Sequence, residues 1–139
     1  MTKRDAEILL SEFFSSFGKN VAPFADANFV KADIGEAVLG FEYRASDKTL
    51  ACRALIYQFR RTPKPEILRA IEHEERAGAD AGGGEIVFDN ENNVLALARV
   101  YAKFVDPDVF AKQMQNLAAA SLVWSGTILD CAAARAFGK

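Results

Sequence analysis

The chain holds a single histidine, His73, set among Glu72, Glu74 and Glu75 in a run whose side chains could bind a metal ion or move a proton. Spacing decides against both. A zinc-protease helix needs a second histidine four positions on, where this chain has Ala77. Neighbouring helix positions also point in different directions, so the run reads as a solvated charged face. Ser125 follows Trp124, but a nucleophile elbow requires glycine two residues before the serine, and Val123 stands there. Cys52 and Cys131 lie far apart in apolar surroundings with no base close in sequence, and both are expected as free core thiols. Gly82, Gly83 and Gly84 lead into a strand and not a helix N-terminus, which removes the usual phosphate-binding arrangement and leaves a loop. No catalytic residue, no metal ligand set and no cofactor motif emerges. The expected chemistry is noncovalent.

Composition narrows what such binding involves. At 139 residues the chain suits one domain spanning 1–139, large enough to bury about two thirds of its unfolded surface. Half of the residues are apolar and 26% are charged, a balance that argues for a folded chain and against disorder. The net charge of -2 opposes a phosphate-tracking surface, so nucleic acid is not an expected partner. The opening residues Met1 to Leu10 lack the sustained apolar stretch of a signal peptide, from which a cytoplasmic location is expected. The uncharged run between Lys112 and Asp130 contains Gln113, Gln115 and Asn116 and reads as a helix outside the membrane.

The elements that would carry a binding surface follow from periodicity. Thr2 and Asp5 form a loose capping box ahead of Ile8, Leu9, Leu10, Phe13, Phe14 and Phe17, which predicts a helix from Lys3 to Phe17 closed by Gly18. Its apolar stripe is wider than one packing seam needs, leaving part of it for a partner. From Ala37 the period drops to two: Ala37, Leu39, Phe41 and Tyr43 share one side, and a second alternating run covers Leu50 to Phe59. With a weaker strand at Phe29–Ala32 these make a meander. Pro63 and Pro65 open a second helix, in which Ile67, Leu68 and Ile71 form a narrow apolar face. Gly78 to Gly84 end it flexibly. A hairpin follows, Ile86–Phe88 and Val94–Phe104, joined by an Asp/Asn-rich turn. Asp106 and Pro107 then begin a long helix whose Phe110, Met114, Leu117, Ser121, Trp124 and Ile128 share a face, with Gly126 a candidate bend. Trp124 on that face reads as core.

This α+β order, α-β-β-β-α-β-β-α with an antiparallel sheet packed against helices, resembles the class I chaperones of type III secretion, the Tir-chaperone-like family, across nearly the whole chain. The residues most similar to that family are Gly83-Gly84 before Ile86 to Asp89, then Asn93 to Arg99, then Asp106 with Phe110, Met114, Leu117 and Trp124. The resemblance implies a cytoplasmic, non-enzymatic homodimer that holds an extended segment of a secreted effector or other protein, with no cofactor. It implies partner binding by Leu9, Phe13 and Phe17 of the first helix and by Leu39 and Phe41 of the sheet. A dimer contact near Ile67, Leu68, Ile71, Val87, Leu95 and Leu97 is implied in the same way. YbjN-like proteins share the fold without a secretion cargo, which leaves a regulatory or assembly role as the alternative. A small-ligand pocket around Trp124 and Tyr101 is the other.

Overall fold

A computed structural model describes residues 1–19, 23–24 and 27–137. Helix α1, Lys3–Ser16, starts on the expected capping box: Thr2 Oγ1 accepts from Asp5 N at 3.1 Å and Asp5 Oδ2 accepts from Thr2 N at 3.2 Å. Strands β1 (Phe29–Ile34), β2 (Ala37–Arg44) and β3 (Thr49–Gln58) form the meander. Helix α2, Pro65–Arg76, follows, and then the hairpin of β4 (Glu85–Asp89) and β5 (Val94–Tyr101). All pairings are antiparallel, and the sheet order is β1-β2-β3-β5-β4. The chain thus returns β5 to the open side of β3 and leaves β1 and β4 as edges.

The last helix is interrupted. Helix α3, Pro107–Val123, is capped by Asp106 Oδ1, which accepts from Asp108 N and Val109 N. A π-helical turn at Trp124–Ile128 contains Gly126 and joins it to α4, Leu129–Phe137. Length and composition alone would let 107–137 cross a membrane. Here its Phe110, Met114, Leu117, Ser121 and Trp124 stripe is instead buried within the fold.

One core lies between the helices and a single face of the sheet. Period two sends Leu39 and Phe41 of β2, Leu50 and Cys52 of β3, and Leu97 of β5 into it, all fully buried. Phe13 of α1 meets Phe41 and Phe110 edge-on at ring separations of 6.0 and 6.1 Å, and Phe14 reaches Phe41 at 5.8 Å. Tyr101 stacks near Phe110 at 5.2 Å and donates its hydroxyl to Gln113 Oε1 at 2.7 Å. Burial pushes the Tyr101 phenol up to about 12 and the Cys52 thiol far above the ordinary range, with Arg99 opposing both shifts.

Two expectations are corrected here. The glycine loop is not a flexible joint: a Cβ on Gly82 would stand 2.5 Å from the Asn116 carbonyl oxygen, and one on Gly84 2.6 Å from that of Ala98. Only glycine lets this loop pass so close to α3 and β5. Trp124 Nε1 donates to the Asp80 carbonyl at 3.0 Å and pins the same loop from the other side. Cys131 is exposed on α4 and is no core thiol, because the helix register past the π turn presents Ala132 to the interior instead. Cys52 is the buried free thiol that was expected.

Candidate functional site

The sheet has a second face, and nothing in the described chain covers it. Register places Phe29, Lys31 and Asp33 of β1 beside Glu42, Gly40 and Val38 of β2, and continues through Ala51, Arg53 and Leu55 to Ala96 and Ala98 of β5. Together with Val94, Asp89 and Asn92 most of these line an open concavity of about 620 Å³. Its walls come from strands and their turns alone. Phe29 is 54% exposed and lies over Gly40, where an added Cβ would stand 3.4 Å from its ring. A register irregularity between Leu55 and Tyr57 bends the end of β3, which raises the local twist and cups the face.

The two edges of the sheet differ. Tyr43 N donates to Asn28 O at 2.8 Å. Counting from that bonded pair, Val30, Ala32 and Ile34 bond inward to β2, while Phe29, Lys31 and Asp33 turn their backbone N–H and C=O groups to the open edge. At the opposite edge Glu75 Oε2 of α2 accepts from Ile86 N of β4 at 3.0 Å, so a side chain already occupies one of that strand's outward donors. A smaller groove of about 390 Å³ runs there between α2 and β4, floored by Leu68, Ile71, Ile86, Phe88 and Leu95 and rimmed by Glu72, Glu75 and Arg76.

Charge on the open face is largely settled by local partners. Arg44 Nε holds Glu42 Oε1 at 3.1 Å. Asp89 accepts from Glu91 N at 3.0 Å, Asn92 N at 3.3 Å and Asn92 Nδ2 at 2.9 Å. The Asn92 side-chain bond first, with smaller help from the backbone donors and Arg53, holds the Asp89 carboxyl below its ordinary value. Arg53 and Lys31 have no ion pair among the described residues.

The structure relocates most of the residues expected at binding surfaces. Leu9 and Phe13 of α1 and Leu39 and Phe41 of β2 are core residues, at 1% exposure or less. The sheet below α1 and α3 beside it consume Leu9, Leu10, Phe13 and Phe14 of its stripe, so the four expected residues offer no groove in the folded chain. Phe17 alone of that set is exposed, at 37%. Among the residues expected at a dimer contact, Ile71, Leu95 and Leu97 are buried within one chain. Val87 pairs with Ala96 and therefore faces the open side, opposite to Leu95 and Leu97. Ile67 and Leu68 are half-buried on α2, and Leu68 borders the α2–β4 groove. A binding face on the sheet was expected, but on the side of Leu39 and Phe41, which is the buried one. The signal of the open face was the polar half of each alternating strand, where Val38, Gly40, Ala51, Leu55 and Val94 are apolar or small.

No constellation for covalent chemistry appears among the described residues. His73 is exposed on α2, and no group of three or more His, Cys, Asp or Glu is placed to hold a metal ion. Trp124 and Tyr101 are packed in the core, and neither lines the two cavities described above.

The chain matches no protein-family model and no curated protein sequence. Its fold matches solved structures. A chain of the ExsC–ExsE complex superposes with a TM-score of 0.68 at 16% identity, covering 90% of this chain and 95% of that one. A chain of the HopA1–SchA chaperone–effector complex gives 0.64 at 14% identity over 87% and 93%. A chain of the ExoT–SpcS complex from Pseudomonas aeruginosa gives 0.57 at 14% identity over 86% and 96%. At these identities the likeness is one of fold, and it is the α+β fold expected from the resemblance to class I type III secretion chaperones.

Proposed function

We propose that the protein is a non-enzymatic binding protein that holds an extended segment of a partner protein across the open face of its sheet. The observation that carries this reading is the uncovered concavity itself. An apolar floor formed by Val38, Leu55, Val94 and Ala96 stands beside a β1 edge that pairs with no further strand among the described residues. A segment laid along β1 gains backbone hydrogen bonds from Phe29, Lys31 and Asp33, and its alternate side chains rest on the concave floor. Covering apolar side chains in this way keeps a partner soluble and extended, and no nucleotide or metal is needed. The likeness to a chain of a chaperone–effector complex supports the same reading, with a secretion effector as the partner and the bacterial cytoplasm as the setting.

In this reading two copies pair through α2 and the β4 side, where Ile67 and Leu68 are left half-buried beside the groove. Equilibrium sedimentation checks the pairing: a dimer lost on Leu68→Glu supports it, and a monomer at all concentrations removes it.

The test of the binding role compares two folded variants in the native host. Leu55→Asp lies on the open face, whereas Val123→Asp changes an exposed residue of α3. A protein co-purifying with wild type and Val123→Asp but lost from Leu55→Asp supports the assignment. A partner retained by Leu55→Asp overturns it.

A further inference from the structure

The open face carries two cations, Lys31 and Arg53, that make no ion pair among the described residues, although Arg53 acts on Asp89 through space. Arg53 stands on the central strand β3, and its cross-strand neighbours are Gly40 on β2 and Ala98 on β5. Neither has a side chain long enough to engage a guanidinium. Lys31 lies on the adjoining edge strand of the same face. Both carboxylates in the lining are spoken for, Glu42 by Arg44 and Asp89 by Asn92 and the backbone of its own turn. Arg53 and Lys31 make neither an ion pair nor a side-chain hydrogen bond among the described residues. The unpaired charge within the lining is therefore positive, while Asp33 and Glu85, also without an ion pair among the described residues, stand on the same face outside it.

We propose that Arg53 sets the specificity of this face, selecting an extended protein segment that carries a carboxylate side chain between apolar ones. The inference rests on the protein-segment reading above and adds the chemistry of the segment. Covering Arg53 with an apolar stretch strips water from a guanidinium and returns nothing. A carboxylate at the matching position accepts its paired N–H donors bidentately and removes that cost. Discrimination thus comes as much from the penalty on the wrong segment as from attraction to the right one. Lys31, a point charge on a flexible stem, aids encounter more than selection. Asp33 and Glu85, on the same face outside the lining, oppose a run of phosphates more than a single carboxylate, which favours an acidic peptide over a nucleic-acid strand.

A displayed library of random short peptides, selected in parallel against wild type and Arg53→Gln, tests this. Arg53 is exposed, so the variant is expected to keep its fold, checked by circular dichroism. Wild type should enrich peptides with Asp or Glu between apolar residues, and Arg53→Gln should enrich apolar peptides without that preference. Replacing the acid by its amide in a selected peptide should weaken binding to wild type roughly tenfold and leave binding to Arg53→Gln unchanged. Arg53→Lys should recover part of the difference. Enrichment without an acidic preference, or with the same preference in Arg53→Gln, overturns the role of Arg53 while leaving segment binding in place. Failure of both folded proteins to enrich any peptide overturns the segment-binding reading and this inference with it. Displacement of a selected peptide by single-stranded oligonucleotide shows general anion affinity and also overturns the assignment.

Discussion

The two faces of one sheet are built from the same strands and have opposite fates. On the inner face β2 sends Leu39 and Phe41 against Phe13, Phe14 and Phe110, and every ring finds a neighbour. On the outer face the same strand presents Val38, Gly40 and Glu42 to an open concavity. The difference teaches where apolar surface is spare. Little of it is on α1, where only Ile8 and Phe17 of the stripe stay exposed, and more lies on the side of the sheet that no described helix covers.

The contrast is broken most severely by Phe13→Asp. A carboxylate there would be buried among aromatic rings with no partner, costing more than about 4 kcal/mol, and the chain should lose its cooperative urea transition. A folded Phe13→Asp that had only lost a binding partner would return α1 to the binding surface. Next is Gly82→Ala, which adds a methyl at a φ of 62° against the Asn116 carbonyl and should cost about 2–4 kcal/mol by denaturant titration. Trp124→Phe keeps most of the apolar volume but strips the Asp80 carbonyl of its donor, and a loss of about 1–2 kcal/mol is expected, with faster hydrogen exchange in the 78–84 loop. On the outer face Leu55→Asp, at a half-buried site, should cost about 1–2 kcal/mol, well below Phe13→Asp, while removing partner binding.

The smallest effect concerns pH. Folding depresses the Asp89 pKa, so this carboxylate contributes stability above its unfolded value and loses that contribution as pH falls through its lower, folded value. Urea midpoints measured at decreasing pH should therefore fall slightly less steeply in Asp89→Asn than in wild type. Parallel curves would show that the β4–β5 turn does not depend on the charge.

Local signals made most elements legible. The capping box of α1, the Asp106–Pro107 start of α3 and the alternation of β2 depend on residues only a few positions apart, and each is found where expected. Strand β1 ran two residues further than its pattern suggested, to Ile34, because pairing with β2 down to Ala37 holds it. Strand β5 stopped earlier, at Tyr101, with Phe104 left exposed beyond it. The glycine loop was misread because the reason for its glycines lies in Asn116 and Ala98, distant in the chain. The break near Gly126 was anticipated as a bend and occurs as a π turn.

Sequence alone determined which residues share a side of each strand or helix, since that depends on the fixed periods of the backbone. It determined the chain order of the elements on the same grounds. Which side of the sheet the helices cover was decided only by the tertiary structure. Burial is a property of what packs opposite a side chain, and Leu39 and Val38 carry no mark in their own neighbourhoods to say which will meet Phe13 and which will meet solvent.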